Sequence, residues 1–598
     1  MEGGCRVRFL GLRRRGASGK IGNHMEAGNI ESSGSGRAWR WGHFALFLAV
    51  GATWLALSGL NFWMGELNQD EGWYLYAAGQ IREGRMPYRD FAFTQPPLMP
   101  LAYAAGYGWV EKFGIAGGRA LTWVFGALGL ASTAWLAMRA GPRGAQRLTA
   151  GLCVTLAAVN LYQAYFTTVV KTYSLAGMFL SAGLLALSFV GRRNGMRAAG
   201  VAGFLLACSA ATRISMGAAL PLGFLYLLGF QHRLKAWAWL DFGLGALVGL
   251  ALAFLPFWAM GGDGFLFGVV EYHSLRESGP WLAQVAYKIG CLSRLAQAYL
   301  PAVAAALFLV VGVAYARGGR KEDGEGAQEA MAGPPHFNVL LWATAAAIAA
   351  VHMAAPFPYD DYQVPVYPIF CAAFAASAGR WWLGVERRLP GSETKERRSA
   401  RRLAILTGAW LACSLHAFSS PLAQSWFVAG RDRIWWRLRE TSPMGQIQDM
   451  GKWVRELATA EAGGELLTQD TYLAVEARMQ VPRGLEMGPF SYYPDWPREK
   501  AERIGVMNRD MLAELLEGGT NASIAAFSGY GLSIRSPEVE EVSREDRMAF
   551  DRILEERFDP VESVPGFGQA GTTLEIWRRK KPEDIEAAMG GRVEADGE

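Results

Sequence analysis

The chain has 598 residues, of which 51% are hydrophobic and only 19% are charged. Soluble domains carry about 25% charged residues, and the apolar residues of this chain form runs that are too long for core helices. The composition therefore excludes a soluble globular protein and predicts a polytopic α-helical membrane protein. The net charge of +5 does not indicate a nucleic-acid partner, because Lys and Arg cluster between the apolar runs, as they do in cytoplasmic loops.

The order of apolar runs and basic clusters predicts the topology. Residues 1–43 are basic and precede the first run, so we expect a cytoplasmic N-terminal tail. When the later basic clusters, the densest of them from Arg387 to Arg402, are placed on the same side, the pattern predicts about 11 spans, within a range of about 10 to 13. An odd number of spans puts the C-terminus on the extracytoplasmic side. The predicted spans are 44–64, 119–138, 148–166, 169–191, 198–212, 214–230, 236–260, 295–316, 339–357, 364–383 and 403–420.

The first outer loop, residues 65–118, opens on an acid pair, Asp70 and Glu71. The apolar spacing of NQDEGWYLYAAGQIREG predicts an amphipathic helix that lies at the membrane interface. Such a pair is either a solvated feature of the loop or the start of a catalytic platform. Segment 97–113 in the same loop is apolar enough to be a short span. We expect it to lie along the outer face, because a crossing would invert every later basic loop; the alternative is that it crosses and a later span is wrong.

A second outer loop is expected over residues 261–294. After Pro421 the charge rises, and strand-like pieces such as ELLTQ, ASIAAFS and TTLEIWRR alternate with helical ones. This pattern predicts a soluble extracytoplasmic α/β domain over 421–580, which we expect to bind or orient an acceptor. Residues 581–598 are expected to form a disordered tail.

No pattern in the sequence predicts a metal or another cofactor. The six cysteines are scattered without a C-x-x-C pair, and four of them lie in apolar runs, where cysteine is usually a small buried hydrophobe. Asp360 and Asp361 stand next to each other, but no D-x-D spacing and no histidine cluster accompanies them, so a cation site is not indicated.

Several short motifs resemble the GT-C glycosyltransferases of the protein O-mannosyltransferase and aminoarabinose-transferase superfamily. DE-x-x-Y-x-x-A follows the first apolar run, and then come G-x-x-P-Y-x-D, PPL and GIAGGRAL. Further along, AATRISMGAALP and YDDYQVPVYPIF are similar to family stretches that flank later spans. The resemblance covers residues 44–420 and implies a GT-C-type membrane domain there.

The resemblance implies a sugar transfer from a polyprenyl-phosphate donor to a glycan, lipid or protein acceptor on the extracytoplasmic face, without a cofactor. Asp70 matches the family's catalytic acid, and a positioned carboxylate that accepts a proton typically contributes about 10²–10⁴-fold to the rate. The sugar is expected to be a hexose or a pentose. The expected residues are Asp70 and Glu71 for catalysis; Arg213, Tyr362 and Arg276 for the donor phosphate; and Trp73, Tyr74, Tyr88 and Gln95 for positioning the loop or acceptor.

Two positions depart from the aminoarabinose-transferase pattern. Trp73 stands where that group has an arginine, and Gln95 stands where it has a lysine, so this first loop lacks two cations for a phosphate. The candidates to replace them are Arg276 first, and then His273, Arg82, Arg85 and Lys171.

Two alternatives remain beside this interpretation. One is a transporter or flippase for a lipid-linked glycan, a class in which ionisable residues lie near the bilayer midplane. In this chain the polar residues concentrate in the outer loops, which favours chemistry at the membrane surface. The other is a polysaccharide ligase or polymerase that uses a lipid-diphosphate donor.

Overall fold

The computed structural model describes residues 31–191, 195–229, 237–275, 279–318, 336–388, 394–419, 440–461, 464–581 and 583. The predictions for most of the N-terminal tail, for Arg276 and for most of the tail after residue 581 lie outside these residues. The described part of residues 31–419 is almost entirely helical. In chain order its helices are α1 Glu31–Met64, α2 Gln69–Arg82, α3 Leu98–Ala105, α4 Tyr107–Phe113, α5 Ile115–Ala140, α6 Gln146–Ala158, α7 Leu161–Phe166, α8 Thr172–Leu187, α9 Gly195–Thr212, α10 Ala219–Gly229, α11 Ala238–Leu266, α12 Tyr272–Ser274, α13 Trp281–Ala298, α14 Leu300–Gly318, α15 Phe337–Ala354, α16 Tyr367–Arg388 and α17 Lys395–Ala417.

Several of these helices are apolar enough to lie in a membrane. Among the described residues, four are also long enough to cross it: Trp41–Met64, Ile115–Ala140, Ala238–Ser274 and Phe337–Ala354. A fifth span results if the pair Trp281–Ala298 and Leu300–Val313, bent by 90°, counts as one. Each predicted span contains helical residues, but span 148–166 is broken between α6 and α7 and α8 to α10 are short, so the count of about 11 stays a prediction.

The two outer loops contain more helix than the sequence predicted. Residues 97–113 form α3 and α4, which are 8 and 7 residues long and separated at Gly106; each is about 12 Å long, whereas a bilayer core is about 30 Å thick. Most of the segment expected as the second outer loop, 261–294, is helical: α11 extends to Leu266, a π-helical turn follows it, and α13 begins at Trp281. Its place outside the membrane stays a prediction. Gly262, whose φ of 45° favours glycine, lies at a kink that divides α11 into two helical segments.

The described residues from 440 to 581, here called the C-terminal part, combine helices with a small sheet. The helices are α18 Pro443–Ala460, α19 Thr471–Ala477, α20 Arg498–Ile504, α21 Arg509–Glu517 and α22 Arg544–Arg557. The strands are β1 Leu466–Leu467, β2 Ile524–Phe527, β3 Ile534–Arg535, β4 Glu540–Glu541, β5 Phe558–Phe567 and β6 Thr572–Arg579. The main sheet has the order β1-β2-β6-β5, with β1 and β2 parallel and the other pairs antiparallel, while β3 and β4 form a separate hairpin.

The first outer loop and the C-terminal part share one hydrophobic core. Leu75 of α2 and Met99 of α3 belong to the same cluster of buried residues as Leu473, Met487 and Tyr493 of the C-terminal part. A second cluster holds the helices of the bundle together. Helix α2 is therefore buried on nearly all sides, because the C-terminal part covers the face that the sequence pattern left for lipid or water. Its place at the membrane interface stays a prediction.

Candidate functional site

A cavity of about 900 Å³ lies between the first outer loop, the bundle and the C-terminal part. The start of α2 and the start of α8 reach it from the membrane domain, and the β3–β4 hairpin and the start of α22 close it from the C-terminal part. Its polar lining includes Asn68, Gln69, Asp70, Gln95, Lys171, Thr172, Arg213, Asp361, Ser533, Glu540, Glu541, Arg544, Arg547 and Gln569. Its aromatic lining consists of Trp73, Tyr74, Tyr173, Tyr272, Tyr359, Tyr362, Phe490 and Tyr530. A site of this size and mixed lining is suited to a polar ligand with an apolar body.

Asp70 lies at the start of α2 because the local sequence caps the helix there. Asn68 is the N-cap: its side-chain oxygen accepts from the Asp70 N–H at 3.1 Å, and its own N–H donates to the Glu71 carboxylate at 3.1 Å. This capping box is a strong helix-start signal. The Asp70 carboxylate accepts a hydrogen bond from Trp73 Nε1 at 3.1 Å and stays 27% exposed to the cavity. It is thus fixed in orientation and accessible to a ligand.

Lys171 joins two acids in the cavity wall. Its Nζ lies 3.3 Å from Asp70 Oδ2 and 2.9 Å from Asp361 Oδ2, and its side chain is 9% exposed. Its position just before α8 brings it between the first outer loop and the 3₁₀ turn Asp360–Gln363. A nearly buried ammonium in a membrane domain is costly unless it is paired or has a function. Lys171 has both the acidic partners and contact with the cavity.

Arg213 and Tyr362, two of the expected phosphate ligands, lie together. The Arg213 guanidinium stacks over the Tyr362 ring at 4.3 Å and over the Tyr173 ring at 5.1 Å, and it donates to Thr172 Oγ1 at 3.3 Å. The stacking fixes the plane of the guanidinium. Its Nε is buried and has no hydrogen-bond partner among the described residues. The side chain also lines the cavity, so the guanidinium is a candidate to bind an anion there.

Glu71 lies apart from the cavity in a fully buried ion pair. Arg119 donates to both of its carboxylate oxygens, at 2.8 and 2.7 Å, and both side chains are 0% exposed. Arg119 also donates to the carbonyl oxygens of Asn61, Phe62, Gly65 and Glu66 near the end of α1. Glu71 therefore connects α1, α2 and α5. It was expected to take part in catalysis, but this geometry favours a positioning role over contact with a substrate.

The four residues expected to position the loop or acceptor divide into two groups. Trp73, Tyr74 and Gln95 line the cavity, whereas Tyr88 is buried outside the cavity lining and donates from its hydroxyl to the Gln95 carbonyl. Burial, together with the charge of Asp70, raises the pKa of the Tyr74 hydroxyl well above its usual range. Tyr74 is therefore a neutral hydrogen-bonding group, and Asp70 is the candidate base among these residues.

Sequence reasoning missed or undervalued several lining residues. Lys171 ranked low among the substitutes for a phosphate ligand, although a lysine next to an apolar run is itself a signal of function. The C-terminal part contributes Tyr530, Arg544 and Arg547, which no local motif distinguishes from solvated surface residues. No group of three or more His, Cys, Asp or Glu residues within the described ranges is arranged to hold a metal ion.

Comparison with known proteins shows the fold. No protein-family model and no curated protein matches the chain. ArnT from Cupriavidus metallidurans in the apo state matches at 14% identity and a TM-score of 0.53, over 89% of this chain and 98% of ArnT. The same protein bound to undecaprenyl phosphate matches at 12% identity and a TM-score of 0.53, over 89% and 97%.

A third solved structure is more distant. The oligosaccharyltransferase AglB from Archaeoglobus fulgidus, in complex with an inhibitory peptide and a dolichol-phosphate, aligns at 15% identity over 81% of this chain and 69% of AglB. Its TM-score of 0.40 is too low to establish a common fold. The two ArnT structures nevertheless confirm the GT-C fold that the sequence motifs predicted.

Proposed function

We propose that the protein is an integral-membrane glycosyltransferase that moves a sugar from a polyprenyl-phosphate donor to an acceptor hydroxyl. One observation carries the proposal: an accessible carboxylate, Asp70, lies beside the ammonium of Lys171 in a cavity that also contains Arg213. A base for the acceptor and cations for a phosphate leaving group are thus within one site. The shared fold with ArnT, which has been solved with undecaprenyl phosphate bound, supports the same class of donor.

The proposed reaction is a single displacement at the anomeric carbon. The acceptor oxygen forms a bond to that carbon while the bond to the phosphate oxygen breaks, so the configuration inverts. Asp70 accepts the proton of the acceptor hydroxyl, a role that typically contributes about 10²–10⁴-fold. The electron pair of the broken bond leaves with the polyprenyl phosphate.

The leaving phosphate is proposed to contact Lys171, Arg213 and Tyr362. Charge-assisted hydrogen bonds from ammonium and guanidinium groups stabilise a phosphate best where water is scarce. Lys171 then replaces the two cations that the first loop lacks at Trp73 and Gln95. Its pairing with Asp70 and Asp361 holds the ammonium at the site without an uncompensated charge.

The acceptor is proposed to enter from the side of the C-terminal part. Tyr530, Arg544 and Arg547 line the cavity opposite the membrane domain, and Arg544 is exposed. Aromatic rings and arginine side chains offer stacking surfaces and donors for a glycan or another polar acceptor. We propose that this part binds or orients the acceptor and supplies no reacting group.

The cavity is proposed to face the extracytoplasmic side. Helix α16 begins beside the cavity wall at Tyr367 and ends at Arg388, so its basic end lies one helix length away. Arg402 in α17 pairs with Glu386 near the end of α16 and donates to the carbonyl oxygen of Gly144, so the basic residues of these segments lie at that same end of the bundle. Basic loops remain in the cytoplasm, and the cavity is at the opposite end.

The test of the proposed function distinguishes the role of Asp70 as the base from the role of Arg213 as a phosphate ligand. Asp70→Asn keeps the size of the side chain but removes the proton acceptor, so sugar transfer should collapse while affinity for polyprenyl phosphate changes little. Arg213→Ala should weaken that affinity by about 1.5–3 kcal/mol, the value of a charge-assisted hydrogen bond. Arg213→Lys, which keeps the charge but not the stacked plane, should fall between wild type and Arg213→Ala.

A matched control comes from the same loop. Asp90→Asn changes a part-exposed carboxylate that pairs with Arg89 outside the cavity, and transfer should stay near wild type. If Asp70→Asn retains transfer as well as Asp90→Asn does, Asp70 is not the base. Movement of the whole lipid-linked donor across vesicles, without transfer, would instead support the flippase alternative.

A further inference from the structure

The C-terminal part holds the first turn of α2 from outside the membrane domain. The backbone N–H of Gln69, the residue before Asp70, donates to Gln569 Oε1 at 2.8 Å. The Gln69 side chain donates through Nε2 to Asp470 Oδ1 at 2.9 Å. The N–H of Ala570 donates to the carboxylate of Glu66 at 2.5 Å. Three hydrogen bonds from distant sequence thus meet within five residues of chain.

Asp470 is the fixed point of this arrangement. It is 0% exposed, and besides Gln69 its carboxylate accepts from the Tyr472 hydroxyl at 2.9 Å, from Ser528 Oγ at 2.7 Å and from the Ser528 N–H at 2.6 Å. A buried carboxylate with four donors is held rigidly by its surroundings. Asp470 does not line the cavity, and its direct hydrogen bond to α2 is the one from Gln69.

Close packing leaves α2 little freedom to move against α19. A Cβ at Gly72 would lie 2.3 Å from the backbone nitrogen of Tyr472, and a Cβ at Gly568 would lie 2.3 Å from the Tyr472 hydroxyl oxygen. At Gly72 the two helices therefore approach to a distance that only glycine permits, and at Gly568 the loop after β5 packs equally closely on α19. The hydrogen bonds of Gln69 and this contact restrain the same turn.

We propose that Asp470 is a positioning residue that, through Gln69, holds Asp70 in the orientation required for catalysis. The C-terminal part is then a structural component of the active centre and not a separable accessory domain. The consequence for the reaction rests on the proposed function, whereas the restraint on α2 does not. A displacement of a reacting group by about 1 Å can cost about 10²-fold in rate, so the loss of this restraint should affect kcat before it affects donor binding.

The experiment compares full-length Gln69→Ala, Asp470→Asn and the double variant. In Asp470→Asn, the amide NH₂ group faces either Gln69 Nε2 or the Ser528 N–H. Both of these groups are donors, so one hydrogen bond is lost in either orientation. The matched control is Gln480→Ala, because Gln480 is also an amide of the C-terminal part but accepts from Tyr76 and Gln80 in the later turns of α2. For each variant we would measure kcat, the affinity for undecaprenyl phosphate, and hydrogen exchange of the peptide that covers residues 66–75.

The expected result is a kcat reduced about 10- to 100-fold in both single variants, with donor affinity within about threefold of wild type. The kcat of the double variant should lie within about threefold of the kcat of the poorer single variant, because both substitutions remove the same contact. Exchange over residues 66–75 should be faster in all three and unchanged in Gln480→Ala. If Asp470→Asn does not fold, Gln69→Ala and the exchange measurement decide alone.

Three outcomes would overturn the proposal. Multiplied losses in the double variant would show that Asp470 acts separately from Gln69. Unchanged exchange over residues 66–75 would show that no restraint exists, and faster exchange with an unchanged kcat would show that the restraint does not position Asp70. A wild-type protein without any sugar transfer would refute the proposed function instead, and the exchange measurement would still decide whether the C-terminal part restrains α2.

Discussion

Glu71→Gln is expected to destabilise the fold instead of removing a reacting group. Glu71 and Arg119 are both 0% exposed, and the guanidinium donates to both carboxylate oxygens. Glutamine keeps the size of the side chain and one acceptor, but it leaves a buried positive charge without its counter-charge. Breaking a buried ion pair in this way costs about 3–5 kcal/mol.

Arg119 makes this ion pair harder to replace by apolar residues than most buried pairs. Replacing a buried pair by apolar residues is often neutral or stabilising. Arg119, however, also satisfies four carbonyl oxygens near the end of α1, and each buried acceptor left without a donor costs about 1–3 kcal/mol. The double substitution of Glu71 to Leu and Arg119 to Met is therefore expected to remain destabilised.

Thermal unfolding in lipid nanodiscs, with hydrogen exchange of residues 66–75, measures the effect. The control is Glu83→Gln, a carboxylate on the exposed end of the same helix, which should change stability by no more than about 0.5 kcal/mol. A Glu71→Gln protein that unfolds within about 1 kcal/mol of wild type but has lost sugar transfer would refute the reasoning. Glu71 would then belong to the reaction and not to the framework.

Three further predictions concern other parts of the chain. Gly72→Ala should destabilise the protein by about 1–3 kcal/mol, because the new methyl group meets the backbone of α19, whereas Gly59→Ala, with no atom within 4 Å, should be tolerated in the same unfolding assay. Burial raises the pKa of the Glu476 carboxyl. The folded state therefore favours the protonated carboxyl, and this contribution to stability is lost as the pH rises through the raised pKa. Glu476→Gln should accordingly stabilise the protein at about pH 8 but not at about pH 4.5. A cysteine at Met548, which is 53% exposed, should react with an impermeant maleimide from outside, and one at the exposed Arg397 only from the cytoplasm; the reverse pattern would overturn the topology.

Much of the membrane domain could be predicted from the sequence, because local physics determines it. A run of apolar residues must form a helix in lipid, where every backbone donor and acceptor has to be satisfied internally. Most residues of the predicted segments accordingly lie in helices. In the C-terminal part, the predicted strand TTLEIWRR is β6 and the predicted strand ASIAAFS contains β2. Alternation and capping signals are local and survive tertiary packing.

The candidate site was only partly predictable, because its residues come from distant parts of the chain. The acid pair is visible in the sequence, and Asp70 does line the cavity. Its neighbour Glu71 has the same chemistry and the adjacent number, yet it lies in a buried pair with Arg119. Adjacent residues on a helix point about 100° apart, so what each meets depends on which helix packs on which side.

The sequence by itself determined a helical membrane protein of GT-C type with a catalytic candidate after the first apolar run. Tertiary structure alone decided that Lys171 lies beside Asp70 and that Asp470, about 400 residues further along the chain, holds Gln69. Propensity and hydropathy act over a few residues, whereas ion pairs and buried hydrogen bonds act only between groups that the fold has brought into contact. Lys171, beside an apolar run, and Asp470, after a short strand, therefore acquire their roles only from the contacts with Asp70 and Gln69 that the fold creates.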